Sequence, residues 1–411
     1  MNLSVSQLAS TMNNRFEHLL VSSDEAVLLT GQKTEKQRIK EESEQVNARR
    51  ELLFVEEITI KNREEKKQKH HLFIQQVEAE FNDSLMNDLA EKFRNTSYVF
   101  EKVLGFDPSI GKILDVLYTE SCSISRLEVF IKELNWLSEA ILSFIKQATY
   151  RRFDSKGRLI VIDTLRSALS FIGIESLRTL LPALISKRGL PPKSALFPEL
   201  HKNLWEYTLG TGKACRAIAE KEGIKWYLGY NVGLMSTVGR SAITTMYLKA
   251  FEGKLREKII EAQKKNNPVQ AEALNTLVPS HKYLISLWHR YADGLNNDIV
   301  ASLKCRWLMI GIGFEDYKSI EEISFAHVKE KNLHPLTNLL FRCQGYMQFK
   351  MMKGNNLISK QASLLYLRNF GIVSDDVVLL MKTDLTGLEI KIPEIQQGLR
   401  KNAQRLNDLP S

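Results

Sequence analysis

Histidine and carboxylate side chains are the first candidates for chemistry in this sequence, because several of them around one divalent cation can activate water for hydrolysis. The chain has eight histidines but no His-Asp dipeptide. His281 and His289 are eight positions apart, which on a helix separates them by about 12 Å, too far for one ion. His201, His327 and His334 each stand alone among polar neighbours. The sequence therefore predicts no metal, no other cofactor and no catalytic residue.

A second candidate for chemistry is the segment 210–213 (GTGK), which resembles part of a phosphate-binding loop. Such a loop needs a glycine five positions before the second glycine and a Ser or Thr after the lysine. Tyr207 and Ala214 stand at these two positions, and no strand precedes the segment. The sequence therefore gives no reason to expect nucleotide binding here.

The composition is that of a globular protein. Of 411 residues, 44% are hydrophobic and 26% charged, which allows two or three domains with normal cores. The net charge of +9 is concentrated between residues 178 and 265, so a weakly positive surface is expected in mid-chain.

The cysteines and the N-terminus bear on the compartment. Four scattered cysteines form no C-x-x-C pair, so they are expected to be small buried hydrophobes rather than disulfides or zinc ligands. Residues 1–11 lack the pattern of a signal peptide, and no apolar run reaches the ~20 residues that span a bilayer. We therefore expect a cytoplasmic protein without a membrane span.

The elements that would position these residues are predicted to be helices. Apolar residues recur at three- and four-residue steps along most of the chain, and helix starts are indicated at Asp107 and Ser123, with a helix end at Gly173. Helices are also predicted over 281–291 and 299–307. Because the best strand pattern, residues 388–392, stops at a proline, the fold class is predicted to be all-α.

The N-terminal part is predicted to contain a long charged helix, since residues 32–104 contain neither glycine nor proline. Apolar residues recur every seven positions, at Ile39, Val46, Leu53 and Ile60, but the second row of a heptad seam is charged. Two arrangements remain open. The helix lies against the body along a narrow stripe, or it forms a coiled-coil dimer.

Four tryptophans, Trp205, Trp226, Trp288 and Trp307, fall within predicted amphipathic helices. Core packing is the expected role of each. Tryptophan is also a residue type that anchors partner interfaces.

Four segments in order resemble the HDOD domain, a bacterial helical module related to HD-type phosphohydrolases. Residues 127–148 resemble its early helices, and 168–180 (ALSFIG, then LRTL) resemble an Ala-aliphatic-x-x-aliphatic-Gly element followed by Leu-Arg-x-Leu. Residues 204–208 (LWEYT) resemble its Trp-x-His-Ser element, and 230–240 resemble its Gly-Leu-Leu-His-Asp-Ile-Gly element. The resemblance covers roughly residues 97–300 and implies a multi-helix HD/HDOD-like bundle.

The departures from this pattern concern the metal site. Tyr207 and Thr208 replace the His-Ser pair that follows the tryptophan, and Ser236 and Thr237 replace the His-Asp pair. Hydroxyl groups are poor ligands for a divalent cation compared with imidazole and carboxylate. The resemblance therefore implies a degenerate site that holds no metal. It also implies a groove whose candidate residues are Trp205, Tyr207, Thr208, Ser236, Thr237 and Trp288.

These observations predict an N-terminal helical extension over 1–96, an HDOD-like domain over 97–304 and a C-terminal helical extension over 305–411. The expected function is a non-enzymatic signalling or regulatory scaffold that acts through contacts with a protein partner. Two alternatives remain open. One is a metal-dependent phosphohydrolase with atypical ligands such as His201, Glu206 and His281. The other is a nucleic-acid-binding regulator that uses the basic surface at Lys254, Arg256, Lys258, Lys264 and Lys265.

Overall fold

The structure is a computed structural model that describes residues 5–33, 54–147, 161–317 and 324–388, with residues 37, 39, 150, 320 and 390. All regular elements in these ranges are helical, so the prediction of an all-α fold is confirmed. Heptad positions 46 and 53 and most of the strand candidate 388–392 lie outside the described residues.

The helices of the N-terminal half are α1 (Val5–Val21), α2 (Ser23–Leu28), α3 (Phe54–Phe93), α4 (Thr96–Tyr98), α5 (Ser109–Leu117), α6 (Ile124–Lys132), α7 (Asn135–Ile145), α8 (Leu165–Ile172), α9 (Ile174–Arg188) and α10 (Leu200–Lys221). A π-helical turn, Val99–Val103, continues α4. The helices of the C-terminal half are α11 (Trp226–Met235), α12 (Val238–Lys264), α13 (Pro268–Asn275), α14 (His281–Ser302), α15 (Gly311–Glu315), α16 (Phe325–Glu330), α17 (Pro335–Gly354), α18 (Lys360–Asn369) and α19 (Ser374–Lys382).

Local side-chain chemistry sets several helix ends where the sequence predicts them. The Asp107 carboxylate accepts hydrogen bonds from the backbone N–H of Ser109 (2.8 Å) and from its hydroxyl (2.6 Å), which fixes the start of α5. The Ser123 hydroxyl accepts the N–H of Arg126 at the start of α6. Gly173, with a φ of 78°, ends α8.

The chain divides into two compact units. One unit comprises Met1–Phe106, Gly189–Ser302 and Ile310–Leu385, and the other comprises Asp107–Arg188, Leu303–Met309 and Thr386–Ser411. The domain bounds 1–96, 97–304 and 305–411 stay a prediction, because a grouping by compactness does not test bounds defined by sequence resemblance.

In the second unit, the segment Leu303–Met309 is fixed against α5. The Asp115 carboxylate accepts the backbone N–H groups of Arg306 (2.6 Å), Trp307 (2.9 Å) and Leu308 (3.0 Å). This segment corrects two expectations. Residues 281–302 form one helix and the predicted helix 299–307 ends early, because Lys304 has a left-handed φ of 52°. Trp307 is not a core residue, since its side chain is 71% exposed.

Hydropathy along the described helices bears on membranes. No single helix among the described residues is long and apolar enough to cross a bilayer. The pair α8 and α9 meets the length and composition criteria only when taken together, across a bend of 113°.

The core of the first unit is built around α10. This helix packs on α11 and α17, and α12 packs on α14. The N-terminal helix α1 contacts α10, α14, α17 and α18, and the rings of Phe16 and Tyr207 lie 4.8 Å apart between their centroids. Helix α1 is therefore part of the core of this unit.

The C-terminal half of α3 lies against α12, α13 and α14. Its buried apolar side chains follow one another at four-residue steps: Val77, Phe81, Leu85, Leu89 and Phe93. A spacing of four residues is close to one helical turn, so these side chains form a narrow stripe along one face of α3. A coiled coil would instead repeat its apolar positions every seven residues. The first of the two arrangements left open by the sequence is therefore confirmed for residues 77–93.

Candidate functional site

The segment 210–213 lies in the middle of α10, far from the loop geometry that binds phosphate. Its glycines have a packing role instead. A Cβ atom on Gly233 of α11 would lie 2.6 Å from the Cα of Gly212 and 2.8 Å from its nitrogen. The backbones of α10 and α11 therefore approach so closely that only glycine fits at Gly233.

The positions that would carry a His-Asp pair, Ser236 and Thr237, lie in the turn between α11 and α12. The Ser236 hydroxyl donates to the carbonyl of Gly233 at 2.7 Å. The Thr237 and Thr208 hydroxyl oxygens lie 2.5 Å apart, and both residues are buried. Because Thr208 donates its single proton to the carbonyl of Leu204, Thr237 is the donor in this pair. These hydroxyls are thus committed to hydrogen bonds within the fold.

The aromatic candidates differ in environment. Tyr207 is buried, its hydroxyl accepts a hydrogen bond from Gln348 (3.3 Å), and burial raises the pKa of Tyr207 to about 12. Trp288 is also buried and donates its indole N–H to the hydroxyl of Thr244 at 3.2 Å. Trp205 is half-buried. None of these aromatic rings offers a ligand for a metal.

A pocket of about 160 Å³ opens beside this turn, and Ser236 and Trp288 are the two predicted groove residues that line it. Trp205, Tyr207, Thr208 and Thr237 do not line it. The other polar walls come from α1, α12, α14 and α17, and they include four groups that the sequence did not assign to a site: Glu17, Arg240, His289 and Asp293.

Three of these charged side chains, Glu17, Arg240 and His289, are paired with one another. Glu17, of which only 3% of the side chain is exposed, forms an ion pair with Arg240 (3.4 Å) and a short hydrogen bond with His289. Donating a hydrogen bond to the Glu17 carboxylate raises the pKa of His289. Burial lowers the pKa of Arg240, but the neighbouring groups Glu17, Tyr207, Asp293 and Tyr317 together have a larger effect, so the pKa is raised. Burial raises the pKa of Asp293, an effect that the charge of Arg240 opposes.

A chain of neutral hydrogen bonds extends from this pocket. The Tyr317 hydroxyl donates to the side-chain carbonyl of Gln344. The Tyr366 hydroxyl donates to that of Gln348 at 2.5 Å, and the amide of Gln348 continues to Tyr207. These hydrogen bonds hold Tyr317, Gln344 and Gln348 of the pocket wall in place.

A separate cluster in the same unit has the composition of a metal site. Among the described residues, one group of three or more His, Cys, Asp or Glu side chains brings its ligand atoms within 4.8 Å of one another, and it consists of His18, Glu25 and His281. His201 and Glu206, the other atypical ligands considered from the sequence, are not members. His201 instead has its Nδ1 atom 2.7 Å from the carbonyl oxygen of Pro191.

Most of the pocket could not be found from the sequence, because its charged groups come from distant segments. Glu17 is 223 positions from Arg240 and 272 from His289. One local feature could have helped. His289 and Asp293 are four residues apart, so they share a face of α14.

Comparisons with known proteins give one family match and one structural match. The HDOD domain model matches residues 106–282. Comparison with the curated proteins finds no match. One solved structure that matches is a putative metal-dependent phosphohydrolase from Shewanella amazonensis SB2B, at 12% identity over 71% of this chain and 98% of that chain. Its TM-score of 0.38 is too low to support an argument from that protein. The family match confirms the resemblance noted in the sequence for residues 106–282.

Proposed function

We propose that this chain is a non-catalytic, cytoplasmic HDOD signalling or regulatory scaffold that acts through protein–protein contacts. The observation that carries the proposal is the state of Ser236 and Thr237. Their hydroxyls occupy the positions of a metal-binding His-Asp pair and are bonded to Gly233 and Thr208. A turn that uses its side chains in this way stabilises the junction of two helices and leaves no ligand for a cation at these positions.

The small volume of the pocket and the ion pair in its wall support the same proposal. Pockets that enclose a small-molecule substrate usually have volumes of about 300–1,000 Å³, whereas this one has about 160 Å³. Its strongest anion-binding group, Arg240, is already paired with Glu17. A nucleotide would have to break this pair and displace the walls. The arrangement therefore favours a structural network over a substrate site.

A surface suited to a protein partner lies in the second unit. Trp307 and Met309 expose 71% and 57% of their area, and the backbone between them is held by Asp115. An exposed tryptophan on a fixed backbone loses little conformational freedom on binding, which is the property of an interface anchor. We propose this segment as the first place at which a partner is contacted.

The alternative of a nucleic-acid-binding regulator draws less support. Lys254 forms ion pairs with Asp88 and Glu257, and Lys258 pairs with Glu261. Two of the five basic groups are thus partly neutralised by neighbouring carboxylates. A gel shift at low salt that disappears as salt rises would favour this alternative over the scaffold.

The test of the proposal has two arms on the full-length protein. In the first, phosphomonoester, nucleotide and cyclic-dinucleotide substrates are incubated with the protein and excess Mn²⁺ or Mg²⁺, and no turnover is expected. Turnover that is lost in a Ser236→Ala variant would overturn the proposal. In the second, partners captured from a bacterial lysate by the wild type are compared with those captured by Trp307→Ala. The expected result is the loss of at least one specific partner, with Leu196→Ala as a control for another exposed apolar side chain, at 48% exposure.

A further inference from the structure

Three helices of the first unit bring two imidazoles and a carboxylate together. His18 lies near the end of α1, Glu25 lies on α2, and His281 is the first residue of α14. The rings of His18 and His281 meet edge to face, with centroids 5.1 Å apart, and the His281 Nε2 atom lies 3.4 Å from a carboxylate oxygen of Glu25. The cluster is distinct from the turn at Ser236 and Thr237, to which the family resemblance points.

The unsatisfied nitrogen atoms distinguish this cluster from an ordinary surface ion pair. His18 is 8% exposed and its Nδ1 atom is buried without a hydrogen-bond partner. The Nε2 atom of His281 is also buried, and its approach to Glu25 does not have hydrogen-bond geometry. Buried polar atoms without partners are uncommon and carry a free-energy cost, which a bound ion or water removes.

We infer that His18, Glu25 and His281 form a zinc site that ties α1 and α2 to the start of α14. Two histidines and one glutamate are a set that binds Zn²⁺ and leaves a fourth position for water. In a tetrahedral site with bonds near ~2.1 Å, two ligand atoms lie roughly 3.4 Å apart. The pair formed by His281 and Glu25 already has this spacing.

The largest distance between the ligand atoms of the cluster also allows them to bind one ion after a small shift. All three ligand atoms lie within 4.8 Å of one another, so a shift of about 1 Å in a side chain completes a tetrahedral edge. The partial positive charge at the start of α14 opposes a cation beside His281. The negative charge of Glu25 offsets this effect, which explains why a carboxylate is the third ligand.

The site would be a structural zinc site rather than a catalytic one. The zinc ion would join an N-terminal segment to a helix that follows it by more than 200 positions. The ligand His18 is the residue directly after Glu17, which lines the pocket. A zinc ion bound only by the folded chain stabilises the fold by a free energy that rises with the logarithm of the free zinc concentration above the dissociation constant. Zinc here leaves the proposed scaffold function unchanged, because neither Ser236 nor the pocket takes part.

The experiment measures zinc binding by the tag-free, full-length protein after removal of metals with a chelator. We expect about one zinc per chain by elemental analysis, and affinity is measured by competition with a chromophoric chelator. Glu25→Gln keeps the size of the side chain at a partly exposed position and is expected to weaken zinc binding at least tenfold. Removing a residue that only hydrogen-bonds to a metal ligand already lowers metal affinity by about tenfold or more, so loss of a ligand should lower it at least as much. His18→Ala and His281→Ala are expected to abolish stoichiometric binding.

Two controls separate this site from other ligands. His70→Ala removes an exposed histidine from α3 and should bind zinc like the wild type. Co²⁺ in place of zinc should give d–d absorption without the charge-transfer band of a thiolate, which excludes the four cysteines. Folding of each variant is checked by circular dichroism. Wild-type affinity in a folded Glu25→Gln protein, a thiolate band, or less than about 0.1 zinc per wild-type chain would overturn the inference.

Discussion

The ion pair between Arg240 and Glu17 offers the sharpest test of the pocket. We consider Arg240→Met, which keeps the length of the side chain and removes its charge. Breaking a buried ion pair costs about 3–5 kcal/mol when the remaining charge stays buried. Glu17 exposes 3% of its side chain, but it retains His289, and Arg240 itself is 18% exposed. We therefore expect the lower end of the range, about 3 kcal/mol.

The reciprocal change should cost less. Glu17→Gln leaves Arg240, whose partly exposed side chain reaches water, so a loss of about 1 kcal/mol is expected, the size of one hydrogen bond. Arg216→Met is a matched control. Arg216 pairs with Glu220 on the surface and lies over the ring of Trp226 at 4.3 Å, and exposed pairs contribute about 0–1 kcal/mol.

Hydrogen exchange read by mass spectrometry suits this test, because it reports each helix separately in a chain with two compact units. A loss of about 3 kcal/mol corresponds to roughly hundredfold faster exchange in α1 and α14, since 1.4 kcal/mol is about tenfold. Less than tenfold acceleration in Arg240→Met, or a larger effect in Glu17→Gln than in Arg240→Met, would refute the reasoning that a buried unpaired carboxylate dominates.

The remaining predictions concern three other features. The pKa of His289, followed by NMR, should be above that of a free histidine and should return toward it in Glu17→Gln. Because the pKa is raised in the folded state, the pair of His289 and Glu17 stabilises the fold at pH values below the unfolded-state pKa. This stabilisation is lost as the pH rises through the folded-state pKa. Gly233→Ala should destabilise α10 and α11 by about 1–3 kcal/mol or more, whereas Gly253→Ala, where a Cβ meets no atom within 4 Å, should stabilise α12 slightly; equal effects would contradict the packing argument. Trp307→Ala should change unfolding by less than about 0.5 kcal/mol while removing a bound partner, and a large loss of stability would instead assign this side chain a structural role.

Features encoded by neighbouring residues could be predicted from the sequence. The starts of α5 and α6 follow from Asp107 and Ser123, which bond to backbone groups two or three positions away. The end of α14 could not be predicted in this way. The apolar pattern continues to Trp307, but the backbone turns at Lys304 and is held there by Asp115, 191 positions before Arg306.

The candidate site divides in the same manner. The expectation that Ser236 and Thr237 stand in place of a His-Asp pair could be drawn from the sequence, because these two residues are adjacent. The pocket and the histidine cluster are not visible, since each depends on α1, a helix without a family pattern that contacts α10, α14, α17 and α18. Hydrophobic periodicity predicts that α1 is a helix, but it carries no information about which distant charges face Glu17.

The position of α1 in the chain has a consequence for synthesis. The residues that α1 contacts are synthesised much later than α1 itself. Arg15 donates a hydrogen bond to the carbonyl of Leu357, 342 positions downstream, and Glu17 pairs with Arg240 and His289. Until then Phe16, Leu19 and Leu20, all buried in the finished protein, have no core to enter. Contacts of such long sequence separation form slowly and leave apolar surface exposed in the meantime. Helix α1 is therefore expected to be fixed only after these downstream segments have been made.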